Sequence, residues 1–250
     1  MPAQVIQSNS TPFQNVTVDP VTLDIIENAL RNARSEMDAV LFRTAMSPGI
    51  REQHDAFPMI ANHEGKMVVG QFGSFFWGFQ QGYNGTIEEG DVFLTNDPYT
   101  CNGAVSHLND WLMMMPIYID GRLVAWSAMF GHMTDIGGKV PGSLPTDAAQ
   151  VFEEGIQIPP VKIIRNGELN TEILELILRN CRLPEWNRSD FNAIVAALRL
   201  AERRVIEMTN RFGVEELVAA MVEMLDRNKR AMGAILNMVV PEKKQHFEDY

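Results

Sequence analysis

Two short stretches of this chain carry the same chemistry-bearing pattern. HLND places His107 three residues before Asp110, and HMTD places His132 three residues before Asp135. Imidazole nitrogen and carboxylate oxygen together are donors that a divalent ion such as Zn2+ or Mn2+ accepts. Two histidines with one or two aspartates leave coordination positions open for water or substrate, the mark of a catalytic rather than a structural site. An ion held that way lowers the pKa of its water and polarises a carbonyl. Gly137 and Gly138, just beyond the second pair, allow a ligand to approach the backbone closely.

The elements around these pairs decide whether they can meet. WLMMMPIYI and LVAWSAMFGHM are strand-like runs joined by Asp120-Gly121, a dipeptide that tolerates the positive φ of a tight hairpin turn. Antiparallel pairing brings the residues before the first strand beside those after the second. His107/Asp110 and His132/Asp135 are therefore expected at one end of one hairpin. The run from Asp19 to Pro48-Gly49 reads as a helix capped by Asp19, with Leu23, Ile26, Leu30 and Ala33 on one stripe. FPMIAN and KMVVGQF flank the turn signal HEG and read as a hairpin. DVFLTNDPY reads as a strand running into a turn, and IQIPPVKIIRNGELN as one more strand pair. From about residue 171 the chain turns helical: one short helix stops near Pro184, a second is capped by Ser189 or Asp190 and stopped by Gly213, and a third follows. A helix, then mostly antiparallel sheet, then helices is an α+β order. Residues 1–17 read as a loose polar arm and 18–250 as one body. The ending HFEDY reads as an interruption, so the chain is expected to be the N-terminal part of a longer protein.

The other candidates have plainer explanations. His54-Asp55 precedes a strand, where a solvated strand start accounts for it. Asn96-Asp97-Pro98 is an ordinary turn signal. GSFFWGFQQG suits core packing better than a pocket wall, and Glu153-Glu154 a loop better than a catalytic dyad. The net charge of −11 and the absence of a Lys/Arg cluster argue against nucleic-acid binding. Cys101 and Cys181 are far apart and outside any CxxC motif, which fits a reduced, cytoplasmic setting. No signal-peptide pattern opens the sequence, and no apolar run suits a membrane span. Neither a P-loop nor a GxGxxG loop occurs, so any nucleotide chemistry is expected on another chain or another fold.

SPGIREQHDAF, GDVFLTNDPY, SHLND, GHMTDIGGKVPGS and EEGIQIPPVKI occur in that order. Together they resemble the hydantoinase B/oxoprolinase family, from about Asp19 to the C-terminus. That family includes metal-bearing subunits of N-methylhydantoinase, caprolactamase, and acetone and acetophenone carboxylases. The resemblance implies that residues 18–250 are the N-terminal part of a hydantoinase B-like domain. It implies a Zn or Mn ion on His107, Asp110 and His132. It further implies catalytic positions at Asp55 and Asp135, with Asp97 and Asn109 behind the ligands. It also implies a hetero-oligomer with a hydantoinase A-like partner that binds ATP. The activity expected first is ATP-dependent hydrolysis of a cyclic amide (hydantoin, lactam or oxoproline type), with Asp55 or Asp135 handling the proton. An ATP-dependent ketone carboxylase needs the same ligands. A non-catalytic assembly module stapled by a closed metal site is the third reading.

Overall fold

The computed structural model describes residues 13–14, 16–71 and 75–240. Helix α1 spans Pro20–Thr44, and the Asp19 carboxylate accepts the Val21 and Thr22 N–H groups at 3.0 and 3.1 Å. Such a cap satisfies donors that the first helical turn would otherwise leave unpaired. Its buried residues continue the expected stripe through Met37 and Leu41. Pro48 does not end α1, which already stops at Thr44. It opens a separate single turn, α2 (Pro48–Arg51), because proline's fixed φ suits a first helical position.

Among the described residues, seven antiparallel strands form one sheet. They are β1 (Ala56–Asn62), β2 (Met67–Val69), β3 (Val92–Thr95), β4 (Asp110–Ile119), β5 (Arg122–His132), β6 (Val161–Arg165) and β7 (Glu168–Leu169), in the order β2-β1-β5-β4-β3-β6-β7. The β4–β5 turn has Asp120 at φ 50° and Gly121 at φ 72°, the positive values a two-residue hairpin demands.

Both faces of the sheet are covered, which explains why β4 reads as a continuous apolar run rather than an alternation. On one face Trp111, Met113 and Met129 pack with α1 and two long helices, α5 (Pro184–Phe212) and α6 (Val214–Val239). On the other, Leu112, Met114 and Trp126 meet helix α3 (Phe75–Gly82) through Phe75, Phe76 and Phe79. That placement makes Phe75, Phe76, Gly78 and Phe79 of the GSFFWGFQQG stretch core, whereas Trp77 is 57% exposed. Gly78 lets α3 settle onto the loop after β3, where a Cβ would lie 2.1 Å from the Cys101 carbonyl oxygen.

The short helix α4 (Thr171–Arg179) ends before Pro184, and Pro184 opens α5 rather than stopping α4. Neither Ser189 nor Asp190 caps α5, since both lie inside it. The Asp190 carboxylate instead accepts the backbone N–H groups of Met46 and Ser47, between α1 and α2. Of the expected N-terminal arm, Phe13 lies 4.1 Å under the Arg122 guanidinium, and the Gln14 N–H donates to Glu215. Residues 1–12 and the HFEDY ending fall outside the described residues.

Candidate metal centre

Three neighbouring strands end at one place. Asp110 opens β4, His132 closes β5, and the two are paired across the ladder. Asp55 immediately precedes β1, which flanks β5 on its other side, and the His132 N–H donates to the Asp55 carbonyl at 3.1 Å. His107 sits on the turn that leads into β4, where its carbonyl accepts the Asp110 N–H at 3.3 Å.

The side chains converge. His107 Nε2 lies 3.1 Å from Asp110 Oδ1 and 3.1 Å from His132 Nδ1, and His132 Nδ1 lies 3.2 Å from Asp110 Oδ1. Asp55 Oδ2 is 3.6 Å from His132 Nδ1. Two ligand atoms each about 2.1 Å from a shared ion stand about 3.0–3.4 Å apart, depending on coordination geometry. The His107/Asp110/His132 triangle has that size, and its N2O donor set suits Zn2+ or Mn2+. Asp110 is buried, whereas the side chains of His107 and Asp55 are 34% and 42% exposed, so the cluster opens to solvent on their side.

The charges support one another even without an ion. Hydrogen bonding to Asp110 raises the His107 pKa from its ordinary value, against the opposing effect of burial. Burial pushes Asp110 up, but hydrogen bonds from His107 and His132 outweigh it and leave the carboxyl below its ordinary value.

The remaining candidates take up other positions. Asn109 is fully buried, and its Nδ2 donates to the Met133 carbonyl at 2.9 Å, while the Met133 N–H donates to the Asn109 carbonyl at 2.8 Å. This reciprocal pair locks the chain beside Asp110 to the chain beside His132. Asp135 stands at the same end of the hairpin, yet its carboxylate turns away from the histidines. It accepts the Gly137, Gly142 and Arg182 N–H groups and pairs with the Arg182 guanidinium at 3.2 Å. Asp97 accepts the Tyr99 and Thr100 N–H groups and the Gln157 amide, which makes it the organiser of its own turn. His54 stacks on Phe42 with ring centroids 3.9 Å apart, and His63 packs against Phe13. Cys181 is buried, and burial pushes its thiol up to about 11; Cys101 is also buried and free. Neither has the lowered pKa of a nucleophile.

Arg182 is a residue the sequence did not single out. Its guanidinium also donates to the carbonyls of Gly137, Gly138 and Val140, and so holds the whole glycine-rich loop. Gly137 has φ 94°, and a Cβ there would lie 2.4 Å from the Asn180 carbonyl oxygen, so the loop can close over α4 only with glycine at that position.

Comparisons with known proteins bear on this geometry. The pattern of the family described as Hydantoinase B/oxoprolinase matches residues 19–250. The chain is 36% identical over 232 residues to caprolactamase subunit beta of Pseudomonas jessenii, covering 89% of this chain and 39% of that protein. It is 28% identical to a 5-oxoprolinase of Dictyostelium discoideum, covering 89% of this chain and 18% of the relative. The crystal structure of the ATP-dependent caprolactamase from Pseudomonas jessenii superposes with a TM-score of 0.82 at 33% identity, over 91% of this chain and 40% of that one. The chain thus spans about two-fifths or less of these proteins' lengths. Among the described residues, no helix is long and apolar enough to cross a membrane.

Proposed function

Because this chain belongs to the hydantoinase B/oxoprolinase family, we propose that it is the metal-bearing part of an ATP-dependent hydrolase of cyclic amides, working with a hydantoinase A-like, ATP-using partner. The observation that carries this reading is the triangle of His107 Nε2, Asp110 Oδ1 and His132 Nδ1, open on the Asp55 side. Support for the substrate class comes from relatives named as a caprolactamase and a 5-oxoprolinase, both names denoting lactams. His107, Asp110 and His132 would hold a Zn or Mn ion. Such an ion supplies an acidified water and a polarised carbonyl. The chain's own residues do the rest: Asn109 fixes the spacing of the two ligand-bearing segments, and the exposed His107–Asp55 side admits substrate. Asp55 borders that side, where a carboxylate can take up a proton or add a ligand atom. A ketone carboxylase would use the same side chains, so the substrate panel in the test includes ketones with bicarbonate.

The test is ATP-dependent ring opening by the chain assembled with its partner, for hydantoins, lactams and 5-oxoproline. ATP-coupled opening of a ring amide is the expected result. ATP-coupled carboxylation of a ketone, with no ring opening, would replace this reading by the carboxylase one. Asp55→Asn should lower turnover by at least about 10²-fold, within the range ascribed to a positioned proton-transfer group. The metal content of that variant identifies its task. Retained metal makes Asp55 the proton acceptor, and lost metal makes it a ligand.

A further inference from the structure

A buried carboxylate lies outside the cluster, on α5. Asp190 of α5 is fully buried, and so is Ser47. Asp190 accepts the Met46 N–H at 2.5 Å and the Ser47 N–H at 3.2–3.3 Å. Those two donors sit at the entry of the α2 turn. An unpaired carboxylate in such a position would be costly, and here backbone N–H groups satisfy it.

The turn that Asp190 fixes reaches the site by two routes. Ser47 Oγ accepts the Thr134 N–H at 3.1 Å, two residues beyond His132. The Gly49 carbonyl accepts the Asp55 N–H at 2.9 Å, and the Asp55 carbonyl accepts the His132 N–H at 3.1 Å. Gly49 also lies close to His132, where an added Cβ would stand 3.4 Å from Cδ2. The α2 turn therefore grips the end of β5 on both sides of His132 and sets Asp55 beside it.

We propose that Asp190 is a positioning residue: by anchoring the α2 turn through Met46 and Ser47, it holds Asp55 and His132 in the geometry of the candidate metal centre. Its metal readout rests on the proposed function, whereas its backbone readout does not. Groups behind metal ligands are typically worth 10–100-fold in affinity.

The experiment uses the purified chain and its Asp190→Asn variant, which removes the charge that gathers the Met46 and Ser47 N–H groups and can set an NH2 group against the Ser47 N–H. Amide hydrogen exchange is read residue by residue, and the Zn dissociation constant is measured by chelator competition on protein shown to be folded. The expected result is at least about tenfold faster exchange at Asp55 and Thr134, as well as at Met46 and Ser47, with Zn bound at least about tenfold more weakly. Faster exchange confined to Met46 and Ser47, with Zn affinity within about twofold of wild type, would overturn the inference. Ser47→Ala keeps the backbone N–H contacts to Asp190 and removes the Ser47 hydroxyl from both the Asp190 carboxylate and the Thr134 N–H. It should speed exchange at Thr134 and weaken Zn, which keeps the test decisive where Asp190→Asn does not fold. A wild-type chain that binds no Zn would sink the proposed metal function, and the exchange pattern alone would then decide the role of Asp190.

Discussion

His132→Ala should strip the ion from the protein and lower ATP-dependent turnover by at least about 10³-fold, well beyond the roughly 10–100-fold cost of disturbing a group behind a ligand. The reason is geometric. His132 Nδ1 is the one atom that approaches His107 Nε2, Asp110 Oδ1 and Asp55 Oδ2, at 3.1, 3.2 and 3.6 Å. Its loss leaves one histidine and one buried carboxylate facing an open space. The backbone should tolerate the change, because the 132 position is held by its N–H on the Asp55 carbonyl and by pairing with Asp110. A circular dichroism spectrum like that of the wild type, combined with metal content below about a tenth of an equivalent, is the expected signature of a lost ligand in a folded chain. His54→Asn is the control. His54 has φ 57°, which asparagine accommodates, and its ring stacks on Phe42 away from the cluster. Metal content should be unchanged in that variant.

Asp135→Asn is expected to act on stability rather than on the ion. The wild-type carboxylate gathers the glycine-rich loop and Arg182 around one buried acceptor. Removing its charge leaves N–H donors and the Arg182 guanidinium poorly matched. Breaking a buried, hydrogen-bonded ion pair costs about 3–5 kcal/mol, and the partial exposure of Arg182 places this one nearer 2–4 kcal/mol. For a chain of this size that is a fall of roughly 5–15 °C in melting temperature. The pH dependence has a definite sign. Burial pushes Asp135 up, but the Gly142, Gly137 and Arg182 hydrogen bonds outweigh it and hold the carboxyl below its ordinary value. A carboxyl with a depressed folded-state pKa contributes stability above its unfolded value near about 3.9, and loses it as pH falls through the folded value. The gap between wild type and Asp135→Asn should therefore be full at pH 7 and shrink below about pH 4. Thermal denaturation across that range checks both the size and the sign. A gap that stays constant down to pH 3 would mean the carboxylate is not what stabilises the loop.

The parts of this fold that could be read from the sequence were those fixed by local chemistry. Asp120-Gly121 dictated a tight turn and so which strand ends meet, but a bulge between Ile117 and Tyr118 shifts the ladder by one residue, and it is the shifted register that puts Asp110 opposite His132. The α1 stripe and the Asp19 cap were legible for the same reason. What escaped depends on contacts remote in sequence. Arg182 reaches back 47 residues to Asp135, and Asp190 reaches back 143 residues to Ser47. No period or spacing encodes either link. The shared HxxD spacing put both aspartates at one end of the hairpin, but chain direction gives them different partners. Asp110 lies in the ladder beside His132, whereas Asp135 lies three residues past the end of β5, where the chain has already turned toward α4. The expected caps at Ser189 and Asp190 failed because Pro184 starts α5 a turn and a half earlier, which frees Asp190 for the α1–α2 junction.

The proposed function stands on one divalent ion shared by His107, Asp110 and His132. Crystals of the wild-type chain grown with Zn or Mn supplied, and measured at each metal's absorption edge, test it most directly. The expected result is a single anomalous peak at near-full occupancy, about 2.0–2.2 Å from His107 Nε2, His132 Nδ1 and an Asp110 carboxylate oxygen. A peak elsewhere on the chain, or none with the three side chains still converged, would contradict it.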